Sequence, residues 1–229
     1  MKTFVLFDID GTLLFSNKID SRCFADSYEA VFGRTFPSIN WHDYPQVTDH
    51  VIFRSVFHKH FDRLPAADER QQFEDYYIMQ LEAARRKRPT DFQEVPGARS
   101  CWEYLNQDER YVTGIATGGW REPAMIKLRH IGLPTSPPYA GYANGMETRR
   151  HILQAAIDTA RREHQIDKLV YVGDAIWDVQ TTQEMNLPLI GIRRKGDHEV
   201  LLREGAPIVL SDYRNLDTFL GAIRKLTGS

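Results

Sequence analysis

The stretch Phe4-Val5-Leu6-Phe7-Asp8-Ile9-Asp10-Gly11-Thr12-Leu13 decides how this chain is read. Four apolar residues without polar alternation read as a short strand buried on both faces, as in a parallel sheet. The run breaks at two carboxylates, at the strand end where open α/β sheets present their ligands. Asp8 and Asp10 lie two apart, so a strand continuing through them would aim both to one face. Gly11 lets the backbone turn away sharply. Two acids that close repel unless a cation lies between them or one keeps its proton, and either outcome is chemically useful. The plain alternative is a strand end closed by an Asx-turn.

Working outward, residues 15–92 read as all-helical. Ile19, Cys23, Phe24, Tyr28, Val31 and Phe32 recur at helical spacing, and Gly33 stops them. Residues 34–47 carry two prolines and read as a loop. Thr48 is placed to cap a second helix bearing Val51, Ile52 and Val56. A third runs from about Ala66 to Arg88 on a stripe of Phe73, Tyr77, Leu81 and Ala84, ended by Pro89. From Val95-Pro96-Gly97 onward, helices alternate with strands at Tyr111–Ala116, Leu169–Val172, Leu189–Ile192 and Ile208–Leu210, with a weak strand near Tyr139–Tyr142. Helices are expected over 98–106, up to His130, over Thr148–Glu163, over 176–185 and over 215–226. The fold class expected is α/β: a Rossmann-like parallel sheet covered by helices on both faces. Residues 1–14 and 93–229 make that domain, and 15–92 form an inserted helical one.

Composition narrows the function classes. At 229 residues and 42% hydrophobic content, the chain can bury a core without disulfides or metal staples. Its 29 basic and 31 acidic residues leave a net charge of −2, so nothing overall steers it to nucleic acid or an anionic membrane. Cys23 and Cys101 stand in no metal-ligand spacing and suit reduced thiols. The apolar run after Lys2 is too short for a signal-peptide core, and nothing approaches a membrane span of roughly 18 apolar residues. A soluble, cytoplasmic protein is expected, as a monomer or homodimer.

Two further strand ends carry chemistry. After Tyr111–Ala116 comes Thr117-Gly118-Gly119, a hydroxyl followed by amides that can approach an anion closely. After Leu169–Val172 comes Gly173-Asp174 and then Asp178, two carboxylates on one face if a helix begins at Asp174. Each alone suits an ordinary turn or helix cap. Three such features on one parallel sheet point to a site.

With these motifs the chain resembles the haloacid dehalogenase superfamily along nearly its whole length. Asp8-Ile9-Asp10-Gly11-Thr12-Leu13 looks like the first motif, Thr117 like the second, and Gly173-Asp174 through Asp178 like the fourth. The helical insert is placed like the cap of the phosphoglycolate phosphatase and β-phosphoglucomutase branch. One departure stands out. The third motif is normally a lysine, yet none lies between Lys127 and Lys168. Arg149 and Arg150 begin the 148–163 helix instead, and Arg149 is the favoured replacement, with Arg150 left open and Lys127 set aside as lying within a helix beside Leu128. Arginine stays charged and can bind phosphate through two nitrogens.

The resemblance implies a Mg²⁺-dependent phosphatase acting on a small phosphorylated metabolite. Asp8 would be the nucleophile and Asp10 the general acid and base. The cation would take Asp8, the Asp10 carbonyl and Asp174, with Asp178 behind them holding a water or the Arg149 guanidinium. Thr117, the Gly118 amide and Arg149 would bind the phosphoryl oxygens. A phosphomutase, and a catalytically silent binding protein on the same scaffold, are the alternatives. A dehalogenase fits less well, because that reaction needs no metal and the acids for one are present.

Other clusters carry less. His58 and His60 diverge on a helix, which argues against a histidine metal site. The run Arg85-Arg86-Lys87-Arg88 complements a helix end better than it suggests nucleic acid. The loop Trp41-His42-Asp43-Tyr44, with Thr48 and Asp49, either faces substrate or packs as a capped loop.

Overall fold

β1 (Lys2–Phe7) is the centre of the sheet, as its unbroken apolar run requires: Phe4, Val5 and Leu6 are fully buried and Phe7 nearly so. The coordinates are a computed structural model describing residues 2–228; Met1 and Ser229, the outer ends of the expected sheet domain, lie outside the described residues. In chain order, β1 is followed by β2 (Leu14–Phe15), α1 (Asn17–Phe32), α2 (Asp49–Phe61), α3 (Ala67–Lys87) and β3 (Gln93–Glu94). Then come α4 (Ala98–Gln107), β4 (Tyr111–Ala116), α5 (Arg121–His130), β5 (Ala140–Gly141) and α6 (Arg149–Glu163). The chain ends with β6 (Ile166–Gly173), α7 (Ile176–Glu184), β7 (Leu189–Ile192), α8 (His198–Arg203), β8 (Ile208–Leu210) and α9 (Leu216–Thr227).

The six-stranded sheet has the order β5-β4-β1-β6-β7-β8 and every pairing is parallel. The chain fills one side of β1 with β4 and β5, then crosses back and fills the other with β6, β7 and β8. That reversal opens a crevice at the carboxyl end of β1, flanked by the ends of β4 and β6. The α/β class expected from the sequence is the class found.

Local chemistry sets the helix starts. Thr48 and Thr148 accept hydrogen bonds from the N–H groups of Val51 (3.3 Å) and His151 (3.2 Å), and Asn215 does the same for Thr218 (3.0 Å). Each such cap stabilises its helix by about 1 kcal/mol. Gly33 ends α1 at φ +63°, a conformation that costs other residues more.

The helical segment is joined to the sheet through a ribbon. β2 and β3 pair antiparallel, Leu14 opposite Glu94 and Phe15 opposite Gln93, which sets the two ends of the segment side by side. Its aromatic core includes Phe53 stacked on Phe73 at 4.7 Å, with Phe24 edge-on at 5.0 Å. Trp120, from the loop after β4, enters the same cluster at 5.7 Å from Phe73 and 6.0 Å from Phe24 and Phe53. The seam between helices and sheet is therefore partly apolar.

Several expectations are corrected. β1 stops at Phe7, so Asp8 and Asp10 lie beyond the strand and do not share a pleat. α7 begins at Ile176, where the sequence reading starts it, so the conditional start at Asp174 is not met and Asp174 lies in the preceding loop. The ribbon and α8 were unanticipated, since two-residue strands and a six-residue helix are too short to show a period. The 34–47 loop contains a 3₁₀ turn at Trp41–Asp43, and another at Pro89–Phe92 follows α3. Among the described residues, no helix is long and apolar enough to cross a membrane.

Candidate active site

The loop after β1 closes on itself before it can build a site. The carbonyl of Ile9 accepts from the N–H groups of Thr12, Leu13 and Leu14 at 3.2, 2.8 and 3.2 Å, while the Asp8 N–H stays in the sheet on the Val172 carbonyl at 2.9 Å. Gly11 sits at φ +78°, and a Cβ there would lie 1.9 Å from Asp174 Oδ2. Glycine is thus needed for the turn and for the approach of the β6 loop. This winding sends Asp8 and Asp10 to different partners.

Asp8 is buried beside Arg149, whose Nη2 lies 3.6 Å from Asp8 Oδ2. The same nitrogen donates to Asp178 Oδ1 at 2.6 Å and to the Tyr171 hydroxyl at 3.1 Å, and Nη1 reaches the Val47 carbonyl at 3.4 Å. Arg150 is exposed, as expected from its position about 100° round the helix. Asp178 is fully buried, and its Oδ2 accepts the N–H groups of Asp174 (3.1 Å) and Ala175 (3.0 Å). Holding the guanidinium is one of the two tasks considered for Asp178. A Cβ on Gly173 would come within 2.5 Å of Asp178 Oδ2, so that glycine leaves the carboxylate its place.

Asp8, Asp174 and Asp178 each bring a carboxylate oxygen within 4.8 Å of the others, the one such acid cluster among the described residues. Asp8 Oδ1 is buried and has no hydrogen-bond partner. Burial pushes the Asp8 carboxyl up to about 7, with Arg149 opposing and Asp178 and Asp10 adding to the rise. Asp174 is pushed well above the carboxylate range by burial and then by Asp178 and Asp8. Three buried acids facing one buried guanidinium, with one oxygen unused, suit a hard divalent cation, which takes oxygen ligands and favours their ionised forms. Both Asp178 oxygens are engaged, so Asp8 and Asp174 are the carboxylates free to ligate. Arg193, directly after β7, lies 4.0 Å from Asp174 Oδ2 and 3.3 Å from its carbonyl. Sequence reasoning missed it; a basic residue at a further strand end was the available signal.

Asp10 faces a different cation. Ser16 Oγ donates to its Oδ1, and Lys127 Nζ donates to its Oδ2 at 2.7 Å. Lys127, from α5, is 1% exposed and also lies 2.8 Å from Asp20 Oδ1, which accepts from the Tyr77 hydroxyl at 2.6 Å. The sequence reading sets Lys127 aside as a third-motif cation and misses its place on Asp10. A signal existed: its helical neighbours Pro123, Ala124 and Ile131 are all apolar, so the lysine stands on the buried stripe.

Thr117 is buried at the end of β4, with its N–H on the Gly141 carbonyl (3.1 Å) and its hydroxyl accepting the Gly119 N–H (3.2 Å). At Gly118 a Cβ would meet Arg149 Nη1 at 2.5 Å and the Val47 carbonyl at 2.6 Å. The helical segment is pinned here: the Asp49 N–H donates to the Gly118 carbonyl (2.8 Å), and Asp49 Oδ2 accepts the Trp120 N–H (2.9 Å). Asp8, Asp10, Asp49, Thr117, Arg149 and Trp41 border a chamber of about 70 Å³. In the 41–49 loop Thr48 caps α2, and Trp41 and Asp49 line the chamber. His60 bonds the Tyr28 hydroxyl at 2.9 Å, and Arg85 and Arg88 pair locally with Glu82 (2.7 Å) and Asp91 (3.4 Å).

Solved structures share this architecture. A hydrolase from Pseudomonas syringae superposes with a TM-score of 0.72 at 20% identity, covering 97% of this chain and 99% of that one. A β-phosphoglucomutase from Clostridium difficile does so at 0.71 and 12% identity, with 98% of each chain covered. A predicted phosphatase from Clostridium acetobutylicum follows at 0.64 and 18%, covering 96% and 98%. At these identities the likeness concerns the fold. A sequence comparison with curated proteins gave no match. The sequence profile of the haloacid dehalogenase-like hydrolases matches residues 5–192, a span that runs from β1 to the end of β7, and the chain belongs to that family.

Proposed function

We propose that this hydrolase is a Mg²⁺-dependent phosphatase that cleaves a small phosphorylated metabolite through an aspartyl-phosphate on Asp8. The observation that carries the reading is the unpartnered Oδ1 of a buried Asp8, held beside Arg149 on the wall of a chamber of about 70 Å³. Asp8 would attack phosphorus as a carboxylate. Asp10, on the opposite branch of the same loop, would give its proton to the leaving oxygen and then take one from the hydrolytic water. The Thr117 hydroxyl, the Gly118 N–H and the Arg149 guanidinium would hold the equatorial oxygens as charge spreads over them. Mg²⁺ held by Asp8, Asp174 and the Asp10 carbonyl would supply positive charge to the phosphoryl oxygens and keep the acids ionised. The helical segment would act as a lid hinged at the Leu14–Phe15 and Gln93–Glu94 ribbon, shutting out water during transfer and admitting it afterwards.

A mutase would use the same first step and return the phosphoryl group to a sugar, and the β-phosphoglucomutase among the structural neighbours keeps that as the second reading. The nearness of the Arg149 guanidinium to Asp8, at 3.6 Å, supports the phosphatase reading over the silent binder. Hydrolysis of para-nitrophenyl phosphate tests the proposal. Nitrophenol release that requires Mg²⁺ is expected, and a protein inert with Mg²⁺ toward this and a panel of phosphorylated metabolites would overturn it. Recovery of an isomeric sugar phosphate in place of inorganic phosphate would select the mutase.

A further inference from the structure

We propose that Lys127 is a positioning residue for Asp10, fixing the aim of that carboxylate and tying it to Asp20 and Tyr77 of the helical segment. The inference rests on the phosphatase reading and extends it to a residue that no motif covers. A buried ammonium is costly unless its protons are used, and this one faces two carboxylates at 2.7 and 2.8 Å.

The order of contacts gives this cation its task. Tyr77 on α3 donates to Asp20 on α1; Asp20 and Asp10 share Lys127 on α5; Ser16 at the ribbon donates to the other Asp10 oxygen. Asp10 is thereby gripped at both oxygens, which sets the rotation of its carboxyl group. A carboxylate offers about four lone-pair sites, so each oxygen keeps one for the proton it must carry. Two of the five groups in this chain belong to helices of the inserted segment and two to the sheet side, with Ser16 at their junction. Seating the segment therefore completes the Asp10 environment, and lifting it withdraws Asp20 and leaves Lys127 to Asp10 alone.

The test uses the dependence on leaving group. Nitrophenolate departs without a proton, whereas an alkoxide needs one, so only the alkyl phosphate draws on the acid role of Asp10. Values of kcat/KM, which report the formation of the aspartyl-phosphate, are compared for para-nitrophenyl phosphate and an alkyl phosphate hydrolysed by the wild type. In Lys127→Met the alkyl value should fall about 10²-fold further than the aryl value, within the range for general acid catalysis. Lys127→Arg should recover part of the loss. The ratio is unaffected by the fraction of protein that is folded. If Lys127→Met cannot be produced, Tyr77→Phe keeps every charge and should shift the ratio in the same direction by several-fold. Equal loss on both substrates, in whichever variant is measured, overturns the proposal alone. A wild type inert toward both overturns the phosphatase reading as well.

Discussion

The two halves of the site can be set side by side, because each acid of the first loop has its own buried cation. Asp8 has Arg149, whose main partners, Asp178 and Tyr171, come from β6 and the start of α7; toward the helical segment it donates a longer hydrogen bond, to the Val47 carbonyl at 3.4 Å. Asp10 has Lys127, which is shared with Asp20 of α1. The half that would make the covalent bond is built almost wholly by the sheet, and the half that would move protons is assembled jointly with the proposed lid. Phosphoryl binding can then be preorganised in the open protein, while acid catalysis waits for closure.

Removing the sheet-side cation should have the largest effect. Arg149→Ala is expected to lower kcat about 10²–10³-fold, as for loss of one preorganised donor, and to do so equally for aryl and alkyl phosphates. Arg149→Lys should restore only part, since a point charge cannot hold two oxygens at once, and Arg150→Ala should change little. Steady-state kinetics on the two substrates checks this; a loss confined to the alkyl phosphate would erase the contrast between Arg149 and Lys127. Next, Asp174→Ala should raise the Mg²⁺ concentration needed for half-maximal rate. An unchanged Mg²⁺ dependence would remove Asp174 from the coordination sphere.

The smallest effect concerns stability without a divalent cation. Burial raises the Asp8 carboxyl from 3.8 to about 7, and raises Asp49 to about 8 with help from Asp20. The folded protein thus holds protons that the unfolded chain has released, so this contribution is complete below the unfolded value and is lost as pH rises through the folded ones. Tm of the metal-free protein should fall between about pH 5 and about pH 8.5, and Mg²⁺ should flatten the slope. A metal-free Tm rising over that interval would contradict the assignment.

What was legible in the sequence follows from what periodicity and motifs can report. The unalternating run at Phe4–Phe7 announced a central parallel strand because both its faces are covered. Thr48 and Thr148 could be read as caps because capping is local chemistry. Asp8, Thr117, Arg149 and Asp174 could be nominated because each stands at a strand end or helix start, where the fold has few ways to place it. Arg193 also stands at a strand end and was overlooked, whereas Lys127 lies inside a helix with its Asp10 partner 117 residues away, and only tertiary packing brings the two together. The divergence of Asp8 and Asp10 was hidden for a related reason: the strand ends with its apolar run at Phe7 and does not continue through the acids, and the turn around the Ile9 carbonyl separates them.

The measurement closest to the central claim is direct detection of the phosphorylated enzyme. Wild-type protein mixed with an aryl phosphate and Mg²⁺ and quenched in acid should carry one phosphoryl group on the peptide that contains Asp8. Asp8→Asn should show neither label nor turnover while retaining the wild-type circular dichroism spectrum. Sustained hydrolysis by Asp8→Asn, or a phosphoryl group mapped to another residue, would contradict the account.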